Sequence, residues 1–152
     1  MTTKVLGIKC HAMKRAAFIL LAALVAGAWQ DFSRVVRIAR SATSNGDSIV
    51  IEEIRGPADK WITGQMYEVR GRYTLSSREH ATLGAFATTP QGLKATQDGP
   101  GAVMNVQKGS GEFRLRFRLW SGPADCPIGQ QCLPGVSFYP AEGGDAFLRA
   151  QI

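Results

Sequence analysis

Histidine, cysteine and long apolar runs are scarce in this chain, and each shortage removes a class of function. Two histidines and three cysteines occur in 152 residues. His11 falls in a stretch that reads as a leader, so His80 is the one histidine left for chemistry. That excludes a multi-histidine metal site, and any Ser-His-acid arrangement would have to use His80. His80 follows Arg78 and Glu79 at an expected turn and reads as a solvated surface residue. The GSG at 109–111 lacks the spacing of a nucleophile elbow, and no glycine-rich loop fit to cradle phosphate is present. Glu52 and Glu53 are adjacent, so a regular strand would point them to opposite faces, where they cannot share a proton. The expectation is a protein without catalytic residues, cofactor or metal.

The longest uncharged apolar run, Ala16 to Ala28, is thirteen residues. A helix needs about 20 to cross a bilayer. Lys14 and Arg15 precede the run and Ala26, Gly27 and Ala28 close it, which is the order of a secretory signal peptide. We read cleavage between Ala28 and Trp29, with an uncleaved anchor or a buried helix as the alternatives. Met13 stands directly before the basic pair and is the expected initiator, which makes residues 1–12 an over-extended start. Contact with the membrane is then expected only during export, and the destination is periplasmic or secreted.

The leader changes the charge argument. The whole chain carries a net +6, but residues 1–28 hold four bases and no acid. The remaining 124 residues hold fourteen bases against twelve acids, a net of only +2. A nucleic-acid partner is therefore not expected. The same removal takes Cys10 and leaves Cys126 and Cys132, in CPIGQQC. An even count in an exported chain points to a disulfide, worth about 2.4 kcal/mol for a loop this short. A redox pair or half a metal site are the competing readings; the spacing is not CxxC and no histidine lies nearby.

Residues 29–47 form the next segment. In DFSRVVRIARS, Phe32, Val35, Val36 and Ala39 recur at helical spacing with Arg34, Arg37 and Arg40 toward the other side, so a short cationic amphipathic helix is expected. SATSNGD, 41–47, follows as a linker or turn.

From Ser48 to Ile152 the chain changes to short runs rich in β-branched and aromatic residues, each ended by Gly, Pro, Asn or Ser. Candidate strands cover 48–54, 65–76, 80–89, 102–107, 112–120, 135–140 and 146–152. KGSG, 108–111, is expected to turn a hairpin between the fourth and fifth. About seven short antiparallel strands with no βαβ rhythm is the profile of an all-β, two-sheet sandwich. In EFRLRFRLW, Phe113, Leu115, Phe117 and Leu119 alternate with Glu112, Arg114, Arg116 and Arg118. One face goes to the core and one to solvent. Val69, Tyr73 and Leu75 repeat this opposite Glu68, Arg70, Arg72 and Thr74, with Gly71 marking a bulge or close packing. Trp61 reads as a core residue covering an open end.

A GP turn, then W-I-T-G-Q leading into Y-E-V-R-G-R-Y-T-L, resembles an immunoglobulin-like or fibronectin-like exported domain over residues 48–152. The resemblance implies a module for binding or architecture. It departs from antibody-type domains, whose cysteines bridge two sheets, because Cys126 and Cys132 share one loop.

Two surfaces emerge as candidates. Arg70, Arg72, Arg114, Arg116 and Arg118 make a cationic face if their strands share a sheet, suited to an envelope polyanion such as an acidic polysaccharide, a lipid headgroup or an acidic partner protein. Against this, like charges directly opposite one another are destabilising, and interleaved glutamates would give a plain solvated face. The second is the loop at 121–135, rigid with prolines and a disulfide, which could dock on a secreted enzyme as an inhibitor or immunity-type protein. Its plainer reading is a structural crossover. The combined expectation is a non-catalytic binding or structural module of the cell envelope.

Overall fold

Asn45 and Gly46 both take left-handed backbone angles, φ 53° and 82°, and join two strands by a two-residue turn. Asn-Gly is the sequence best suited to such a reversal, because its twist matches that of the strands it connects. The computed structural model containing this hairpin describes residues 31–86, 96–97, 101–119, 127–130 and 134–152. The expected leader with its expected cleavage point at Ala28–Trp29, and Cys126 and Cys132, lie outside the described residues.

The first strand of the hairpin corrects the sequence reading. Arg34–Ser44 is strand β1, where an amphipathic helix was expected, and it pairs antiparallel with β2, Asp47–Gly56. The helical spacing of Val35, Val36 and Ala39 gives way to a period of two carried by a different set of residues. Val36, Ile38 and Ala42 pack on the core while their odd-numbered neighbours face outward. An isolated helix of this length is marginal, whereas a ladder onto β2 satisfies the backbone of both segments.

Two further expectations fail together. Residues 65–76 and 80–89 were expected as separate strands and 102–107 and 112–120 as a hairpin around KGSG. Instead β3, Met66–Phe86, and β5, Val103–Leu119, are each continuous and pair along their length. The turn-forming residues accommodate an irregularity: Leu75 faces Gly109 and His80 faces Gln107, so β3 spends five steps where β5 spends two. Gly109, at φ 124°, takes up the distortion without reversing the chain. Asp47 fastens the displaced part of β3. Its buried carboxylate accepts from the Ser76 and Ser77 amides at 2.7 and 2.9 Å and from the Ser77 hydroxyl at 2.5 Å.

Above this irregularity the neighbours of β3 change. Its first part lies between β2 and β5, and its last part, Ala81–Phe86, lies between β5 and β6, Gly135–Pro140. β6 carries β7, Leu148–Gln151, which packs against β1 and β2. The short strand β4, Thr96–Gln97, pairs with the end of β5. The result is an all-β, antiparallel, seven-stranded sheet, with no helix among the described residues.

The enclosed core gathers Ile49, Ile51 and Ile54 of β2, Val69 and Leu75 of β3, the alternating set Phe113, Leu115, Phe117 and Leu119 of β5, and Phe138 of β6. Trp61 is completely buried, with its ring 4.6 Å from Tyr67 and 5.8 Å from Phe117, as a core role requires. The Tyr67 hydroxyl accepts from the Ile62 amide at 2.7 Å and donates to the Lys60 carbonyl at 3.0 Å, pinning the turn that carries Trp61.

Candidate functional site

The outward face of β1, β2, β3 and β5 is built from four cross-strand rows. Val35, Arg55, Glu68 and Arg116 form one; Arg37, Glu53, Arg70 and Arg114 the next; Ser41, Val50, Arg72 and Glu112 the third; Thr43, Ser48, Thr74 and Ser110 the last. Arg118 extends the face beyond the first row, opposite Met66. All five sequence-predicted arginines therefore share one face.

A bulge organises its centre. Ile51 faces Gly71 and Glu53 faces Arg70, which leaves Glu52 as an extra residue on β2. The bulge overturns the expectation that Glu52 and Glu53 point oppositely, because both carboxylates now pair with arginines of the outward face. Gly71 is required there: a Cβ would lie 1.9 Å from the Val50 carbonyl oxygen and 2.8 Å from the Phe113 ring. Of the two sequence readings of Gly71, a bulge or close packing, the structure shows close packing, against a bulge whose extra residue is on β2.

Glu68 is the hub, only 1% exposed despite belonging to the solvent-facing set. Arg70 donates from Nε to its Oε1 at 2.6 Å and again through Nη2; Arg116 donates from Nε to Oε2 at 2.7 Å; Arg114 Nε stands 3.7 Å away. Burial pushes the Glu68 carboxyl up, but the hydrogen bonds from Arg116 and Arg70 and their charges outweigh it, and its pKa ends below the usual value. Arg70 also reaches Glu53 at 3.5 Å, which holds Arg55 at 2.9 Å, so the ion pairs run as a chain across three strands. Arg116 lies under the Phe32 ring, 5.3 Å from its centroid.

Like charges do meet, since Arg70 and Arg114 are directly opposite. The buried Glu68 carboxylate relieves that repulsion, which is why the face tolerates it. The sequence reading named the arginines and missed the glutamate that orders them. A carboxylate framed by Val69 and Tyr67 within an alternating strand was the available signal.

The arginines are unequally engaged. Arg70 and Arg116 are committed to Glu68, and Arg118 donates to the Gly64 carbonyl at 2.6 Å. Arg72 gives its Nε to Glu52 at 2.7 Å, yet its side chain is 66% exposed. Arg114 is 57% exposed and, among the described residues, has only the long contact to Glu68. Arg37 makes no hydrogen bond or ion pair among the described residues. Counting Arg37 and Arg55, seven arginines stand against Glu52, Glu53, Glu68 and Glu112, an excess of three.

Of the 121–135 loop, residues 127–130, 134 and 135 are described. Ile128 is buried and its amide donates to the Asp59 carbonyl at 2.8 Å, while Arg40 donates to the Gly129 carbonyl. That part of the loop is fastened to the body of the domain. His80 is exposed, within β3 and not at a turn. Among the described residues no three His, Cys, Asp or Glu side chains stand together as metal ligands would. No protein-family model, curated protein or solved structure matches the chain.

Proposed function

We propose that this protein is an exported, non-catalytic binding module of the cell envelope, a two-layer sandwich whose outward face of β1, β2, β3 and β5 holds an anionic polymer. The observation that carries this reading is the pairing of a buried Glu68 held by Arg70 and Arg116 with exposed, under-used guanidinium groups of Arg72 and Arg114 beside it. A guanidinium fork matches the geometry of carboxylate and sulfate groups, which it can engage through two hydrogen bonds at once. The immunoglobulin-like assignment rests on the sequence resemblance alone. An inhibitor acting through 121–135 is the competing reading, and the fastening of Ile128 and Gly129 to the domain favours a structural role for that segment.

The test leaves Arg70 and Arg116 in place, because they hold Glu68. Replacing Arg72 and Arg114 by Gln should lower the salt concentration at which the protein elutes from an immobilised polyanion such as heparin, with the melting temperature unchanged. Unchanged elution would overturn the cationic-face reading. Export is tested separately by the intact mass of protein recovered outside the cytoplasm: a chain starting at Trp29 and lacking two hydrogens supports cleavage and a Cys126–Cys132 bridge together.

A further inference from the structure

The outward face holds two adjoining grooves of different chemistry. One, of about 340 Å³, is walled by Arg37, Arg70 and Arg114 with Glu52, Glu53 and Glu112 between them. The second, of about 520 Å³, shares Glu112 and continues along the strands past Arg72 to Ser48, Thr74 and Ser110. The Thr74 and Ser110 hydroxyls lie 2.9 Å apart, and Ser48 faces Thr74 from β2. From the Arg70 and Arg114 row to the Thr74 and Ser110 row is four residues along a strand, about 14 Å.

Building on the anion-binding reading, we infer that the polymer is an acidic polysaccharide of the uronate type, bearing carboxylates and hydroxyls together. The donor and acceptor inventory of the two grooves separates it from other anions. A phosphate chain offers acceptors only and has nothing to donate to Glu52 and Glu112, whereas a uronate chain brings hydroxyls that can. Glu112 makes no hydrogen bond or ion pair among the described residues and stands exposed beside Arg114. A carboxylate so placed accepts from sugar hydroxyls, while serine and threonine hydroxyls both donate and accept, as sugar hydroxyls do. The arginine wall takes the uronate carboxylate and the hydroxyl row takes the adjoining sugar.

The experiment compares oligogalacturonate with oligoglutamate of equal charge, by titration calorimetry on the purified protein. Oligogalacturonate should bind at least tenfold more tightly. Thr74→Val with Ser110→Ala should remove that preference and leave oligoglutamate binding unaltered; Ser48→Ala, on the strand opposite Thr74, should remove part of it. Equal affinities, or no response to these variants, would overturn the polysaccharide inference while leaving the polyanion reading standing. Failure of both ligands to bind would overturn both.

Discussion

Glu68 concentrates the electrostatics of the outward face in one side chain. Losing its charge strands the Arg70 and Arg116 guanidinium groups that now point at it, and hydrogen bonds to charged groups are worth about 1.5–3 kcal/mol. Glu68→Gln should therefore cost about 2–3 kcal/mol at pH 7 by urea denaturation. Its folded-state pKa is lowered, so the contribution is fully present above about pH 4.5 and is lost as pH falls through the depressed value. The gap between wild type and variant should accordingly narrow in acid. A gap independent of pH would mean the substitution acts through packing. Gly71 is the steric counterpart: Gly71→Ala places a methyl group against the Val50 carbonyl and should cost roughly 3 kcal/mol or more, read as a drop in melting temperature.

At the scale of elements, the β1–β2 hairpin depends on two residues in left-handed conformation. Replacing Asn45 and Gly46 by Ala should destabilise the turn by about 2 kcal/mol and expose the amides of β1 to hydrogen exchange before those of β3. Loss of protection spread evenly over both strands would contradict a local role for the turn. This hairpin was legible as punctuation but not as a hairpin. Phe32, Val35, Val36 and Ala39 satisfy a period of 3.6, while Val36, Ile38 and Ala42 share one face at a period of 2, and only the partner strand decides between the two sets. KGSG fails for a related reason. Turn-forming residues report that the backbone departs from regular geometry at Gly109, and they report a reversal and an irregularity in the same letters.

For the whole molecule, the two long strands set the folding problem. β3 and β5 pair residues as distant as Met66 and Arg118, and the core closes only when β6 and β7 have come over β1 and β2. Such non-local pairing must form before it is rewarded, so refolding should take milliseconds to seconds. Stopped-flow fluorescence, with the buried Trp61 as a reporter, measures it, and a submillisecond single phase would contradict the topology.

The alternation in EFRLRFRLW already determined that Phe113, Leu115, Phe117 and Leu119 face inward and Arg114, Arg116 and Arg118 outward, because side-chain direction in a strand is a local property of the pleat. The close approach at Gly71 and the interior place of Trp61 were legible in the same local way. Only the tertiary structure decided that three arginines converge on Glu68, that Glu52 and Glu53 share a face, and that hydroxyls and arginines align in adjoining grooves. Those depend on register, which is set by hydrogen bonds between segments as far apart as Met66 and Arg118 and by one bulge.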